Sequence, residues 1–443
     1  MASARAAAPP WSHGGIAEKA KVTPPSRDPF YVVPAGVDKV PPGTILRHRG
    51  LPSPPVPLDE TGRSFVEDSH QILYRTTDSR GNATATVLTV LIPSRPDYGK
   101  VVSFQVAEDA VTVDCAPSFG FQSASSDYPE LNSLISQTQL LIAQAALQRG
   151  WVVVVPDYEG PEAIYPTGKL ALHAILDGVR ASLKSGTSTG IRENATVALW
   201  GYSSGGGVTL RSVQLQPSYA PELRLAGAAV GGVMGDLADA FSPFSTLDET
   251  PYAWLIPIAF LGAAIERPWL RELIDKHLKP GNRQHFYSAQ HQCVDANRAS
   301  FSGEDVMSMF DDPTFLLSIP EHVDESDIVV DVAPRIPVFW YQCAHDQLVN
   351  AAVTGRIAAR YCSEGAKIEY RVETADFVDH LTYGLFGAPS ALRWLQGIMT
   401  GEAPPPSGCS SETVLTQEMD AGFLNIFPED IQKRILLAVN PGR

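Results

Sequence analysis

Short runs of apolar, mostly β-branched residues alternate along this chain with segments whose apolar residues recur every three or four positions. The run WVVVVP at residues 151–156 has no polar alternation, which is typical of a parallel strand covered on both faces. Strands are predicted at residues 84–92, 100–106, 151–156, 196–200, 225–230, 337–342 and 367–372. Helices are predicted at residues 134–149, 169–183, after Ser203 and at 390–399. This alternation predicts an α/β protein with a mostly parallel, doubly wound sheet and helices on both faces.

The alternation stops in several places, and these breaks divide the chain. Residues 1–58 are rich in proline, which removes backbone donors and restricts the preceding residue, so they are predicted to form an extended lead-in. Residues 236–332 mix helical and proline-containing sequence and are predicted to form a helical cap inserted over the site. The core is therefore expected at residues 59–235 and 333–400, followed by a C-terminal tail or flap at 401–443.

Size and charge narrow the classes of function. With 443 residues, 44% of them apolar, the chain can bury a large core as one catalytic domain with insertions. Its 34 basic and 49 acidic residues give a net charge of -15, dispersed without a basic block that could neutralise a phosphate backbone. Nucleic acid is therefore not an expected partner, whereas neutral esters and lipids remain open as substrates.

Neither a secretory signal nor a membrane span is evident in the sequence. Residues 1–15 lack the continuous apolar core of a signal peptide, which favours a cytoplasmic location. The longest apolar stretch, residues 253–265, is interrupted by Pro257 and is too short to cross a bilayer as a helix. It is predicted to be a buried or substrate-facing segment, and any contact with a lipid surface is expected to be transient.

A G-x-S-x-G motif formed by Gly201, Ser203 and Gly205 lies directly between a predicted strand and a predicted helix. A sharp turn at this junction lifts the serine hydroxyl out of the sheet, and glycines are needed because larger side chains would collide with neighbouring backbone. The alternative is a glycine-rich helix start that only packs tightly or binds an anion. The strand-turn-helix setting favours Ser203 as a catalytic nucleophile.

A serine nucleophile needs a base and an orienting carboxylate, which follow in the order Ser, acid, His in α/β-hydrolases. His380, in a predicted loop near the C-terminal end of the core, is the expected base. Asp346 follows a buried strand in the turn CAHDQLV and is the preferred acid, because ligands and catalytic groups gather at that end of a parallel sheet. Asp376 and Asp379, in the same predicted loop as His380, are competing candidates.

The tetrahedral intermediate of ester cleavage also requires two hydrogen-bond donors. One is expected from the backbone N–H of Ser204, the residue after the nucleophile. The second must come from an earlier loop, where Asp109 is the candidate and an ordinary turn aspartate is the alternative. The chain has no HGGG-type run, which argues against the lipases that use that form. No metal or organic cofactor is expected in this mechanism.

Several longer motifs resemble the fungal secretory lipase family, a divergent branch of α/β-hydrolases. They are DPFYVVPAGVDKVPPGTIL at residues 28–46, EDAVTVDCAPSFGF at residues 108–121, VVVPDYEGP at residues 153–161, the GYSSGG turn, and the aspartate and histidine loops. The resemblance implies an α/β-hydrolase fold whose helical cap supplies an acyl-binding tunnel. It also implies a catalytic triad and a pair of oxyanion donors, formed by Ser203, Asp346 and His380 and by Asp109 and Ser204.

The resemblance has further implications for the cysteines and for location. It suggests disulfides that pair Cys115 with Cys293 and Cys362 with Cys409, and it leaves Cys343 as a small buried residue beside the acid. It also suggests secretion, although a signal peptide is not evident. The family usually has glycine at the position of Ser204, and serine keeps the backbone donor while adding a side chain near the oxyanion.

Three hypotheses about function follow. The first is a serine lipase or esterase that hydrolyses lipid or small-metabolite esters through an acyl-enzyme. The second is an acyltransferase or tailoring esterase of a fungal secondary-metabolite pathway with the same triad. The third is a catalytically silent binding protein, which an intact triad disfavours. The cap residues Trp254, Phe260 and Trp269 are expected either to bind an acyl chain or simply to form core.

Overall fold

One large sheet forms the centre of the fold. The computed structural model describes residues 22–57, 64–131, 133–166, 168–233, 244–314, 332–402 and 406–416, together with residues 429 and 432. Within them, ten strands form a sheet in the order β1-β2-β3-β5-β4-β6-β7-β8-β9-β10. The strands are β1 (Ile45–Gly50), β2 (Val66–Thr77), β3 (Ala83–Pro93), β4 (Asp97–Gln105), β5 (Trp151–Pro156), β6 (Thr196–Tyr202), β7 (Leu225–Gly231), β8 (Val338–Cys343), β9 (Ile368–Glu373) and β10 (Ser410–Val414).

Parallel pairing dominates this sheet. Strand β4 pairs in parallel with β5 and β6, and the succession from β6 to β10 is parallel throughout. The antiparallel pairs are β1 with β2, β2 with β3, and β3 with β5. The seven strands predicted from the sequence correspond to β3 through β9, so the prediction of a mostly parallel α/β sheet is confirmed.

Helices cover both faces of the sheet. They are α1 (Pro117–Gly120), α2 (Leu134–Gln148), α3 (Lys169–Lys184), α4 (Gly186–Thr189), α5 (Ser204–Tyr219), α6 (Phe244–Leu247), α7 (Leu255–Glu266), α8 (Pro268–His277), α9 (Arg283–Ser288), α10 (Val294–Phe301), α11 (Ala351–Ser363) and α12 (His380–Thr400). Because successive side chains of a strand point to opposite faces, each strand serves two cores. In β6, Ala198, Trp200 and Tyr202 pack with α2 and α12, whereas Val197 and Leu199 pack with α3 and α5.

Both ends of the described chain contribute edge strands that the sequence pattern did not predict. Strand β1 lies within residues 1–58, which were expected to form an extended lead-in, and it pairs antiparallel with β2. Strand β10 lies within the expected tail at 401–443 and pairs in parallel with β9. The side chains of these edge strands are mostly exposed or half-buried, so they lack the apolar runs that mark central strands. The described sheet therefore extends beyond the expected core at residues 59–235 and 333–400, and those bounds stay a prediction.

Helices α6 to α10 form the described part of the predicted cap and share an apolar core of their own. Helix α7 takes up most of the apolar stretch at residues 253–265, and the side chains of its first ten residues are buried. A Cβ at Gly262 would lie 1.7 Å from the carbonyl oxygen of Tyr165, so the absence of a side chain lets α7 approach that loop. Residues 234–243 and 315–331 lie outside the described residues, and the bounds 236–332 for the cap stay a prediction.

Two disulfides link elements that are distant in sequence. Cys115, in the loop after β4, is bonded to Cys293 at the start of α10, and Cys362 of α11 is bonded to Cys409 just before β10. Cys343 is buried and unpaired at the end of β8. The pairing implied by the family resemblance is therefore confirmed, and it ties both the cap and the last strand to the core.

Candidate active site

The turn between β6 and α5 holds Ser203 in a strained backbone conformation, with φ of 59° and ψ of −128°. Neighbouring glycines make this turn sterically feasible. A Cβ at Gly201 would lie 2.2 Å from the carbonyl oxygen of Gly205, and one at Gly205 would lie 2.1 Å from that of Gln105. Such contacts exclude any larger residue, so the glycines of the motif are required by backbone packing as well as by turn geometry. Ser203 is therefore presented at the N-terminus of α5.

His380 lies beside Ser203, with its Nε2 atom 2.7 Å from the serine Oγ. Its side chain is 1% exposed. It is the first residue of α12 and does not lie in the predicted loop, because Asp379 caps the helix by accepting a hydrogen bond from the Thr382 N–H. The hydroxyl of Tyr202 donates to the His380 carbonyl oxygen at 2.7 Å. The helix start and this bond fix the position of the imidazole.

Asp346 contacts the other nitrogen of the imidazole. Its two carboxyl oxygens lie 2.8 Å and 2.9 Å from Nδ1 of His380. The side-chain amide of Gln342 donates to one oxygen at 2.8 Å, and the backbone N–H groups of Leu348 and Val349 donate to the other at 2.9 Å and 2.8 Å. The buried carboxyl thus meets donors on both oxygens, and its geometry suits an orienting acid.

The competing carboxylates predicted from the sequence have other partners. Asp379 is occupied in capping α12. Asp376 is 98% exposed and pairs with His345 at 3.1 Å. Of the three candidates, Asp346 is therefore the one that hydrogen bonds with the ring of His380.

Asp109 lies in the loop after β4 and contacts the residue that follows Ser203. Its backbone has a positive φ of 47°, and its side chain is buried. One carboxyl oxygen accepts a hydrogen bond from the Ser204 hydroxyl at 2.6 Å. Burial raises the pKa of Asp109, while the Ser204 bond and the nearby His380 lower it. The structure thus brings the two predicted oxyanion residues, Asp109 and Ser204, into direct contact. The contact is made by the Ser204 hydroxyl, a side chain that the usual glycine at this position would lack.

A cluster of buried carboxyls behind this loop was missed by the sequence analysis. Glu108 and Glu159 are 2% and 1% exposed. Burial first, and neighbouring carboxyls second, raise the pKa of both groups well above the usual range. Asp157 accepts hydrogen bonds from the backbone N–H and hydroxyl of Ser118 at 3.0 Å and 2.5 Å, and burial raises its pKa to about 7. These residues lie in the EDA and PDYEG runs, which are parts of the motifs that resemble the secretory lipase family. That resemblance was the one sequence feature that could have drawn attention to them.

A cavity of about 200 Å³ opens onto Ser203 and His380. It is lined by Ala107, Asp109, Ile135, Thr138, Gln139, Ile142, Tyr165, Tyr202, Ser203, Tyr252, Trp254, Leu255, Arg298, Leu348, His380, Leu381, Gly384 and Leu385. Trp254 lines the cavity and, like Phe260 and Trp269, also packs in the apolar core of the cap. Within the described residues, no group of three or more His, Cys, Asp or Glu side chains is placed to hold a metal ion.

Comparison with known proteins identifies the family. The model of the secretory lipase family matches residues 126–405. The chain belongs to the secretory lipase family. Lipase A of Arthroderma benhamiae is 34% identical over 417 residues, covering 93% of this chain and 87% of that protein. Lipase 6 of Candida albicans is 32% identical over 423 residues, covering 90% of this chain and 87% of that protein.

Solved structures of other hydrolases share the fold of this secretory lipase family member. The X-ray structure of Candida antarctica lipase A matches with a TM-score of 0.77 and 25% identity, covering 94% of this chain and 95% of that one. The rice cell wall degrading esterase LipA of Xanthomonas oryzae matches with a TM-score of 0.54 and 16% identity, which shows the fold alone. The family and its lipase relatives establish that this chain is a carboxylic ester hydrolase with the α/β-hydrolase fold. Among the described helices, not one combines the length and apolar character needed to cross a bilayer.

Proposed function

We propose that the chain cleaves carboxylic esters through an acyl-enzyme formed on Ser203. The observation that carries this proposal is the continuous hydrogen-bonded series from Ser203 Oγ through the His380 ring to Asp346, at the wall of a cavity that can hold a substrate. A serine hydroxyl becomes a nucleophile when a base removes its proton as it attacks. The contact of 2.7 Å between Ser203 Oγ and His380 Nε2 is within the range for that transfer.

Each residue has a distinct role in the proposed reaction. His380 takes the proton of Ser203 as the serine attacks the ester carbonyl, and then gives it to the departing alcohol. Asp346 holds the imidazole in the required tautomer and stabilises its positive charge. Negative charge on the carbonyl oxygen is met by the backbone N–H of Ser204, at the start of α5, and by a donor from Asp109. Water then attacks the acyl-enzyme by the same route in reverse and releases the acid.

The substrates we propose are esters of lipids or of small apolar metabolites. Relatives of this chain are named lipases, and apolar side chains, among them Trp254 and Leu255, form much of the cavity wall. Such a wall suits an acyl chain, because burying apolar surface contributes about 0.8 kcal/mol per methylene. An alcohol that reached the acyl-enzyme in place of water would give a new ester, so product analysis in the presence of an alcohol separates hydrolysis from acyl transfer.

We also propose that the protein works in an oxidising compartment, as secretion would provide. Disulfides persist in such compartments and are rare in the cytosol, and this chain has two of them. This favours secretion over the cytoplasmic location expected from residues 1–15. Assay of ester hydrolysis in the medium and in extracts of the producing cells tests the proposal, and activity confined to the extracts would contradict it.

Hydrolysis of p-nitrophenyl esters from acetate to palmitate is the test of the proposed mechanism. We expect turnover by the purified protein, and a fall of about 10³-fold or more in kcat for Ser203→Ala, because the serine, base and acid act as one unit. Ser218→Ala is the matched control, since this exposed serine lies on the same helix and its hydroxyl bonds only to the Leu215 carbonyl. The absence of turnover on every ester, or full activity of the Ser203 variant, would overturn the proposal.

A further inference from the structure

Arg298 places a positive charge in the wall of the catalytic cavity. It lies on α10 of the cap, is partly buried, and lines the same cavity of about 200 Å³ as Ser203 and His380. Within the described part of the chain, it is the only lysine or arginine in that wall. The proposed hydrolysis of neutral esters does not use this charge.

The guanidinium group of Arg298 makes no hydrogen bond or ion pair with any residue that the structure describes. Other partly buried arginines of this protein are paired: Arg180 contacts Asp177 at 2.7 Å, and Arg49 contacts Asp28 at 2.6 Å. Removing a cation from water without a partner is unfavourable, because the lost hydration is not replaced. An unpaired guanidinium at a cavity wall is therefore suited to a partner that arrives with the ligand.

The other polar groups near Arg298 point to the same kind of ligand. The hydroxyl groups of Thr138, Tyr165 and Tyr252 line the cavity and make no hydrogen bond to a described residue. Tyr252 lies close enough to Arg298 for the positive charge to lower the pKa of its phenol, although burial, the largest effect, raises it. Hydroxyls can donate or accept hydrogen bonds, whereas guanidinium only donates. Arg298 therefore requires an acceptor on the ligand, and the three hydroxyls can donate to the same group.

Two acidic groups in and behind the cavity wall limit where an anion could bind. Asp109 accepts the hydroxyl of Ser204, and Asp346 lies behind His380. An anionic group close to either would be repelled, and the net charge of -15 opposes anions in general. The favourable position for an anion is therefore at Arg298, on the cap side, with the ester at Ser203.

We propose that Arg298 binds a carboxylate or phosphate group of the substrate, so that the preferred esters carry an anionic group in addition to the ester that is cleaved. The guanidinium presents donors in a planar fork that matches either anion in two parallel hydrogen bonds. This inference rests on the proposed ester hydrolysis at Ser203, and it narrows the substrate class from apolar esters to esters with an anionic end.

Matched pairs of esters test the inference on both sides of the scissile bond. Monomethyl adipate is compared with methyl hexanoate, and 1-butyrylglycerol 3-phosphate with 1-butyrylglycerol, by measuring kcat/KM from product release. A preference in the first pair places the anion on the acyl side, and one in the second places it on the alcohol side. We expect the wild-type protein to prefer the anionic member of at least one pair by about 10- to 100-fold, the range of a charge-assisted contact.

Substitution of Arg298 identifies the origin of that preference. Arg298→Met should abolish the preference by lowering the kcat/KM of the anionic ester more than that of its neutral partner, and Arg298→Lys should keep part of the preference because the charge remains. Arg271→Met is the matched control, since this cap arginine pairs with Asp275 and is not part of the cavity wall. Arg298→Gln serves the same purpose if the methionine variant does not fold, as judged by circular dichroism.

The outcomes separate this inference from the proposed function. Equal rates on both members of both pairs, or a preference that survives removal of the charge, would overturn the role of Arg298 and leave ester hydrolysis intact. Hydrolysis of none of the four esters, together with no turnover of p-nitrophenyl esters, would overturn the proposed function and this inference with it.

Discussion

The carboxyl of Asp346, at the His380 ring, and the buried carboxyls of Glu108 and Glu159, near Asp109, differ in the donors that they meet. Asp346 accepts hydrogen bonds on both oxygens, from the His380 ring, the Gln342 amide and two backbone N–H groups. Neither oxygen of Glu159 makes a hydrogen bond of normal geometry to a described residue, and one oxygen of Glu108 also lacks a partner. The carboxyl group of Asp346 is therefore met by several protein donors, whereas those of Glu108 and Glu159 are met by few.

This difference shows how the surroundings of a carboxyl decide its use. A carboxylate that is met by several donors keeps its charge and can stabilise an imidazolium. Carboxyls that are buried beside one another with few donors favour the protonated form, and burial and the neighbouring carboxyls raise the pKa of Glu108 and Glu159. We interpret the Asp346 side as the half of the site that orients the base, and the Glu108 and Glu159 side as a support for the loop that carries Asp109.

Removal of the charge on the Asp346 side should have the largest effect. Asp346→Asn keeps the size of the side chain but presents an amide to the imidazole, which favours the wrong tautomer of His380. We expect kcat to fall by about 10⁴-fold, the scale associated with this change in Ser-His-Asp triads, with little change in KM. Asp376→Asn is the control, because that carboxylate is 98% exposed and pairs with His345. A loss of less than tenfold for Asp346→Asn would show that another acid orients His380.

Replacement of Asp157, which lies in the carboxyl cluster near Asp109, should instead change how stability depends on pH. Burial raises the pKa of Asp157 from 3.8 to about 7, so the folded protein holds this proton to higher pH than the unfolded chain does. The contribution of Asp157 to the free energy of unfolding should therefore be greatest at low pH. It should fall as pH rises from about 4 to about 7 and level off above that. The fall is up to about 4 kcal/mol, at about 1.4 kcal/mol per pH unit.

Asp157→Asn should remove this contribution, because an amide does not titrate. Urea unfolding at pH 4, 5, 6 and 7 measures the slope in the variant and in the wild type, with Asp376→Asn again as the exposed control. Glu108 and Glu159 act in the same direction at higher pH and are unchanged in both proteins. Identical slopes for the Asp157 variant and the wild type would mean that this carboxyl is already ionised in the folded protein.

The smallest effect is expected from loss of the contact between Ser204, in the nucleophile turn, and Asp109. Ser204→Ala removes the hydrogen bond of 2.6 Å to Asp109, which ties the loop after β4 to the start of α5. We expect kcat to fall about fivefold with KM unchanged, since one such bond contributes about 1 kcal/mol and acts by positioning. Ser204→Thr keeps the hydroxyl and should restore most of the rate. An unchanged kcat in the alanine variant would show that Asp109 is held without Ser204.

The regular part of the fold could be predicted from the sequence because its signals are local. Uninterrupted apolar runs marked β5 and the other central strands, since a strand covered on both faces must be apolar along its length. Strands β1, β2 and β10 escaped prediction. The edge strands β1 and β10 each have only one neighbour and most of their side chains reach solvent, whereas β2 mixes polar residues into its buried run. The turn at Ser203 could also be predicted, because its glycines stand close together in the sequence. Backbone contacts within and beside the turn require them.

The sequence by itself determined the order of the central strands β3 to β9, the turn that presents Ser203, and a short set of partners for it. Only the tertiary structure shows that Asp346, and neither Asp376 nor Asp379, contacts the His380 ring, because His380 lies 34 positions after Asp346 and 177 after Ser203, and their contact depends on how the sheet and α12 pack. It also brought Glu108, Asp157 and Glu159 together from two separate motifs. Charge states at this site depend on burial and on donors supplied by distant segments, and those are properties of the folded chain alone.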